Sequence, residues 1–190
     1  VNAVVPGAPA IGTATPGDQQ ATVTFTAPGN TGGAAITSYT VTSSPGGKTG
    51  TGSASPITVA GLSGGQAYTF TVTATNSAGT GPASQPSNSI TPKAAQTITF
   101  SNPGAQSFGT APTLAATSDS GLTVAFTSAT TGVCTITSGG TLTFLTTGQC
   151  TIRADQAGDG SYLPAAQVER SFTVNAVVPG APAIGTATPG

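Results

Sequence analysis

The sequence predicts an all-β protein: two tandem antiparallel β-sandwiches set in an extended rod. Three observations predict it. Only 5% of the 190 residues are charged, against about 25% in an average soluble domain. Threonine and serine fill the polar positions instead, 55 residues between them, with 27 glycines. β-Branched threonine suits the outer face of a pleated sheet, and glycine suits tight turns. The second observation is an apolar/polar alternation of period two, broken by turn signals about every ten residues. The third is an internal repeat. No stretch shows Leu, Ala, Glu or Lys residues at helical spacing.

The repeat sets the organisation. Residues 1–17 read VNAVVPGAPAIGTATPG, and residues 174–190 read the same, identical at all 17 positions. The offset of 173 residues defines a repeat unit, with the chain covering one unit and the start of the next. Identity without drift points to further copies. The unit itself divides in two. The first half closes near Ser89-Ile90-Thr91-Pro92, and a new strand pattern opens at Gln96-Thr97-Ile98-Thr99-Phe100. The expected boundaries are 1–93, 94–174, and 175–190 as the start of the next repeat, identical to 2–17. The connectors are short and carry proline, which resists bending more than Gly/Ser linkers do. The expected form is a semi-stiff string of domains.

In the first half, Ala21–Thr26 places Val23 and Phe25 on one face. Ile36–Val41 does the same for Tyr39 and Val41, and Tyr68–Ala74 for Tyr68, Phe70, Val72 and Ala74. The string Leu62-x5-Tyr68-x-Phe70-x-Val72-x-Ala74-x-Asn76-x2-Gly79-x-Gly81-x2-Ser84 resembles the E–F corner, F strand and FG loop of a fibronectin type III domain. The resemblance covers roughly residues 6–92. It implies that Tyr68 is the corner tyrosine, its hydroxyl bonding back to upstream backbone. Phe25 stands where that family carries a buried tryptophan. No Arg-Gly-Asp triplet is present, so that family's cell-attachment motif does not carry over.

In the second half, Val133-Cys134-Thr135-Ile136, Leu142-Thr143-Phe144, Cys150-Thr151-Ile152-Arg153-Ala154 and Phe172-Thr173-Val174 resemble the bacterial immunoglobulin-like domains of large surface proteins. Cys134 and Cys150 are the only cysteines. In so uncharged a chain they read as a disulfide, which implies an oxidising compartment, extracellular or at the cell surface. Cys134 shares parity with Ile136, and Cys150 with Ile152 and Ala154, so both sulfurs face the core. If Thr141–Leu145 lay between the two cysteine strands in one sheet, those strands would be roughly 9.6 Å apart. A disulfide needs Cα atoms within about 7 Å. Either the middle segment leaves the sheet, or the cysteine strands belong to facing sheets.

The remaining candidates carry little chemistry. Asp155 and Asp159, with Gly158 and Gly160, are weak candidates for calcium, which takes 6–8 oxygens; a solvated turn is the simpler role. There is no histidine, hence no imidazole base or ligand. Glu169, the only glutamate, sits beside Arg170 and reads as half of an exposed ion pair. Gly46-Gly47-Lys48-Thr49-Gly50 lacks the spacing of a phosphate loop and reads as a hairpin turn. No enzyme and no cofactor is expected.

Net charge is −1, with Lys48, Lys93, Arg153 and Arg170 scattered, which offers no footprint for nucleic acid. No apolar run approaches the roughly 18 residues of a membrane span. The absence of methionine suits an internal piece of a longer exported chain. The expected partners are neighbouring copies, head to tail, and no specific ligand is indicated. The expected function is a structural shaft or spacer unit of an extracellular filament or giant adhesin. The alternative is a non-catalytic binding module of a secreted polysaccharide-degrading enzyme. Residues 179–190 are expected to be extended against a neighbouring fibronectin-like domain.

Overall fold

A computed structural model describes residues 2–177; the expectation for residues 179–190 lies outside them. The described residues contain strands and no helix. They fall into two compact units. The first comprises the chain up to Gln96 together with Ala157–Pro164, and the second Thr97–Gln156 and the chain from Ala165.

The first unit is a sandwich of a three-stranded and a four-stranded antiparallel sheet. β1 (Ala10–Gly17), β2 (Gln20–Thr26) and β5 (Ile57–Ala60) form one sheet in the order β1-β2-β5. β3 (Ser38–Ser44), β4 (Thr49–Gly52), β6 (Thr69–Asn76) and β7 (Gly79–Thr80) form the other in the order β4-β3-β6-β7. Alternation decides the faces. β6 buries Phe70, Val72, Ala74 and Asn76 and turns its threonines outward. Val23 and Phe25 of β2 face Tyr39 and Val41 of β3 across the core, with the Phe25 and Tyr39 rings 4.8 Å apart. The β3–β4 turn holds Gly46 and Gly47, both at positive φ, as a tight hairpin turn requires.

Beyond β7 the chain runs on beside β6 to Ile90, but Pro82 and Pro86 interrupt any regular ladder. Serine hydroxyls complete it. Ser84 N donates to Val72 O, and Ser84 Oγ accepts from Val72 N. Ser87 does the same for Phe70. The proline-bearing edge thus leaves no amide of β6 unpaired at these positions.

The second unit is built on shorter strands. β11 (Ala125–Ser128), β14 (Gly148–Asp155), β15 (Val168–Asn175) and β9 (Gln106–Ser107) form a four-stranded sheet in that order, with β9 parallel to β15. β8 (Ile98–Phe100) pairs with β10 (Ala116–Ser118), and β12 (Cys134–Ile136) with β13 (Leu142–Phe144), as two ribbons. Ile98, Phe100, Leu142, Phe144, Cys150, Ile152, Phe172 and Val174 are among the side chains of its core. Two edge-on ring pairs, Phe100–Phe126 and Phe144–Phe172, lie within it.

The observed division differs from the sequence boundary in two places. Residues 94–96 belong to the first unit, and so does the segment 157–164. That segment is held by backbone bonds: Ala94 N donates to Ser161 O and Leu163 N to Ala94 O, each at 2.8 Å. Gly64 and Gly65 lie so close to Ser161 that neither has room for a Cβ.

Candidate functional site

Cys134 and Cys150 are bonded, with their Cα atoms 5.8 Å apart and both side chains fully buried. The topology removes the difficulty raised by the sequence. Among the described strands β13 pairs with β12, and β14 lies in the four-stranded sheet, so the bridge joins a ribbon to a sheet rather than two strands of one meander. Ser128 supports the same corner, its hydroxyl donating to Cys134 O at 2.8 Å.

Tyr68 is buried immediately before β6, and its phenol oxygen accepts from Ser63 N at 3.0 Å. This fixes the turn that follows Leu62, a fully buried core residue. The bond ties the backbone of that turn to one rigid ring.

The acidic candidates are spent on structure. Asp155 accepts from Gln167 Nε2. Asp159 Oδ1 accepts from Ser161 N at 2.7 Å and Tyr162 N at 2.9 Å, the pattern of an Asx turn. Among the described residues no three acidic or cysteine side chains group as metal ligands would. Glu169 does not pair with Arg170. It pairs with Arg153, directly opposite on β14, at 2.8 Å, and both side chains are about half exposed. Arg170 instead donates from Nε to Phe100 O at 2.9 Å, so its guanidinium completes the backbone of β8. The reason is the pleat: adjacent residues of a strand point to opposite faces, whereas cross-strand partners share one.

Asp119 accepts from Thr97 N at 2.9 Å and from Thr97 Oγ1 at 2.7 Å. These bonds, the backbone one first, hold its carboxyl below the usual value.

The most developed arrangement is the seat of the entry segment in the first unit. Val4 N donates to Gly32 O at 2.9 Å, and Gly7 N to Asn30 O at 2.9 Å. Asn76, buried at the end of β6, donates from Nδ2 to Val4 O at 2.7 Å and to Thr31 O at 2.8 Å. Its Oδ1 accepts from Ala78 N. Pro6 is fully buried. A Cβ on Gly32 would overlap Val4 O, and one on Gly81 would overlap Pro6 O. Glycines at these two positions are what let the segment lie against the loops. Sequence reasoning placed Asn76 in a motif but not in this role; the signal was a buried-face asparagine followed by Gly79 and Gly81.

The fibronectin type III domain model matches residues 7–90. That segment, somewhat less than half of the chain, is similar to a fibronectin type III domain. Such domains are generally non-catalytic structural or binding modules. Solved structures similar to this chain include a titin module from human cardiac muscle, 34% identical, covering 47% of this chain and 92% of the module, with a TM-score of 0.37. A run of titin domains is 29% identical over 48% of this chain, with a TM-score of 0.43. This chain spans only 34% of that run. The FN1–FN3 domains of chicken CNTN1 are 18% identical and cover 90% of this chain and 67% of their own, with a TM-score of 0.44. No curated protein matches the chain.

Proposed function

We propose that this chain is one structural repeat of a long extracellular tandem array, the shaft or spacer of a bacterial surface filament or adhesin, without catalytic function. The observation that carries this reading is the 17-residue identity of residues 1–17 and 174–190. A short repeated tag could recur anywhere. This one recurs as a segment whose first copy is seated by Gly32, Asn30 and Asn76, so a second copy of the segment asks for a second such seat. The disulfide supports an oxidising compartment. The partners in this reading are preceding and following copies, head to tail.

The polysaccharide-binding alternative asks for exposed rings on which sugars stack. Tyr39 and Tyr68 are buried, Tyr162 is partly covered, and among all the aromatic side chains only Phe108 is exposed. Nothing favours that reading.

Limited proteolysis of the native protein tests the proposal. Cleavage at equivalent sites in each copy yields a ladder of fragments spaced by one 173-residue repeat. A single band the size of one or two domains, or a large fragment with no periodic spacing, would remove the array.

A further inference from the structure

Two large apolar side chains are exposed where the second unit ends, Phe108 and Leu145. β9 and β15 run parallel and stop together, with Phe108 N donating to Asn175 O at 2.8 Å. At the same end Gly148 pairs with Val174 and lies against Val133, and Leu145 N donates to Val133 O at 2.8 Å. Phe108 and Leu145 therefore flank the point where the chain leaves, and they are 38% and 52% exposed. The entry end is at the opposite pole, because β8 sets out beside the start of β15: Phe100 O is bonded to Arg170 and Asn102 to Ser171 O, while Gln106 lies opposite Val174.

The entry pole of the first unit is apolar in the same way. Val4 and Val5 are 60% and 42% exposed, although the backbone of Val4 is anchored on both sides. The Val5 side chain lies over Gly79, and both side chains keep a large part of their surface exposed.

The repeat brings these two poles together. Val177 holds the place of Val4, and β15 continues to Asn175. A single residue, Ala176, separates the last paired residue of one unit from the residue anchored on the next. Two residues span at most about 7 Å. At that range two folded poles touch, and the apolar groups of each are the groups in reach of the other.

We propose that Phe108 and Leu145 form a docking face for the first unit of the next copy, packing on its counterparts of Val4 and Val5, the first of which, Val177, is 62% exposed in the single chain. The inference rests on the repeat reading above, and it adds that the junction between copies is a packed contact rather than a hinge. The occupant is a following copy because the chain leaving this pole already carries the sequence that the first unit seats. Burial of these four side chains removes the largest exposed apolar groups at either pole.

Hydroxyl-radical footprinting of the native array against the 190-residue chain tests the contact. Phe108, Leu145, Val4 and Val5 are expected to be oxidised several-fold less in the array. Leu163, 38% exposed in the first unit, is the reference and is expected to be equal in both. In an array carrying Phe108→Ser and Leu145→Asp, oxidation of Val4 and Val5 is expected to return to the level of the 190-residue chain. Equal labelling of Phe108 and Leu145 in array and short chain overturns the docking face. So does protection in the short chain that grows with its concentration, which would mark association of separate molecules. The two readings fail separately: a periodic ladder with equal labelling leaves the array and removes the docking, whereas no ladder removes the array itself.

Discussion

The two units solve the same problem with different means. In the first, β3 and β6 pair over seven residues and Val23, Val41, Val59, Phe70 and Val72 are fully buried between long sheets. Its loops are pinned by single polar groups, Tyr68 at one end and Asn76 at the other. In the second, only β14 and β15 are long; β8, β10, β12 and β13 have three residues each. Short ribbons make few ladder bonds, and the Cys134–Cys150 bond fastens one of them to the sheet. A covalent link does in the second unit what strand length does in the first.

Substitutions can break this contrast. The largest effect is expected from Phe70→Ala, a fully buried ring at the centre of the first core. It should cost about 3–5 kcal/mol. All three tyrosines lie in the first unit and there is no tryptophan, so tyrosine fluorescence in a urea titration reads this loss directly. Next comes Cys134→Ala with Cys150→Ala. Removing a bridge across 16 residues of sequence should cost the second unit about 3 kcal/mol. Amide exchange in β12 and β13 should rise, while the tyrosine transition keeps its midpoint. If the tyrosine transition shifts equally, the bridge is not local to the second unit. Tyr68→Phe should cost the first unit about 1 kcal/mol, because Ser63 N loses its acceptor while the ring still fills its place; the same fluorescence titration reads it.

The smallest effect concerns pH. Asp119 is exposed, and its bonds to Thr97 hold its carboxyl below 3.8, the ordinary value. Its contribution is therefore complete above the unfolded-state value and is lost as pH falls through the lower folded value. Asp119→Asn should flatten the acid side of the second unit's stability profile below about pH 4, seen as urea midpoints by amide exchange. An unchanged profile would assign the acid sensitivity to other carboxylates.

How much of this was legible in the sequence depends on the range of the cause. Period two exposed the faces of β2, β3 and β6, because burial on one side of a sheet is written in a single strand. Tyr68 was singled out through the resemblance of the Leu62–Ser84 string to a fibronectin type III corner, and its hydroxyl does bond to the backbone of Ser63. The direction of both cysteine side chains was legible by parity, but not whether they lay in one sheet or two. The partner of Glu169 was misread because register across β14 and β15 is not written in either strand. The seat of residues 157–164 was missed for the same reason. It depends on Gly64 and Gly65, distant in sequence, and on backbone bonds to Ala94 that no side-chain pattern announces. The serine hydroxyls that replace the ladder beside β6 were also hidden: Ser84 stood in the motif without a role, and Ser87 looks like an ordinary loop residue.

Trypsin offers the most direct test of the array. Cleavage after Lys48, Lys93, Arg153 and Arg170 leaves one peptide that begins at Ser171 and, in an array, runs through the repeated segment to the next copy's counterpart of Lys48. Quantified in the native protein by mass spectrometry, this junction peptide is predicted to approach a one-to-one ratio with the internal peptide 49–93. Absence of the junction peptide, or a ratio far below one, would contradict the array and with it the structural role assigned to this chain.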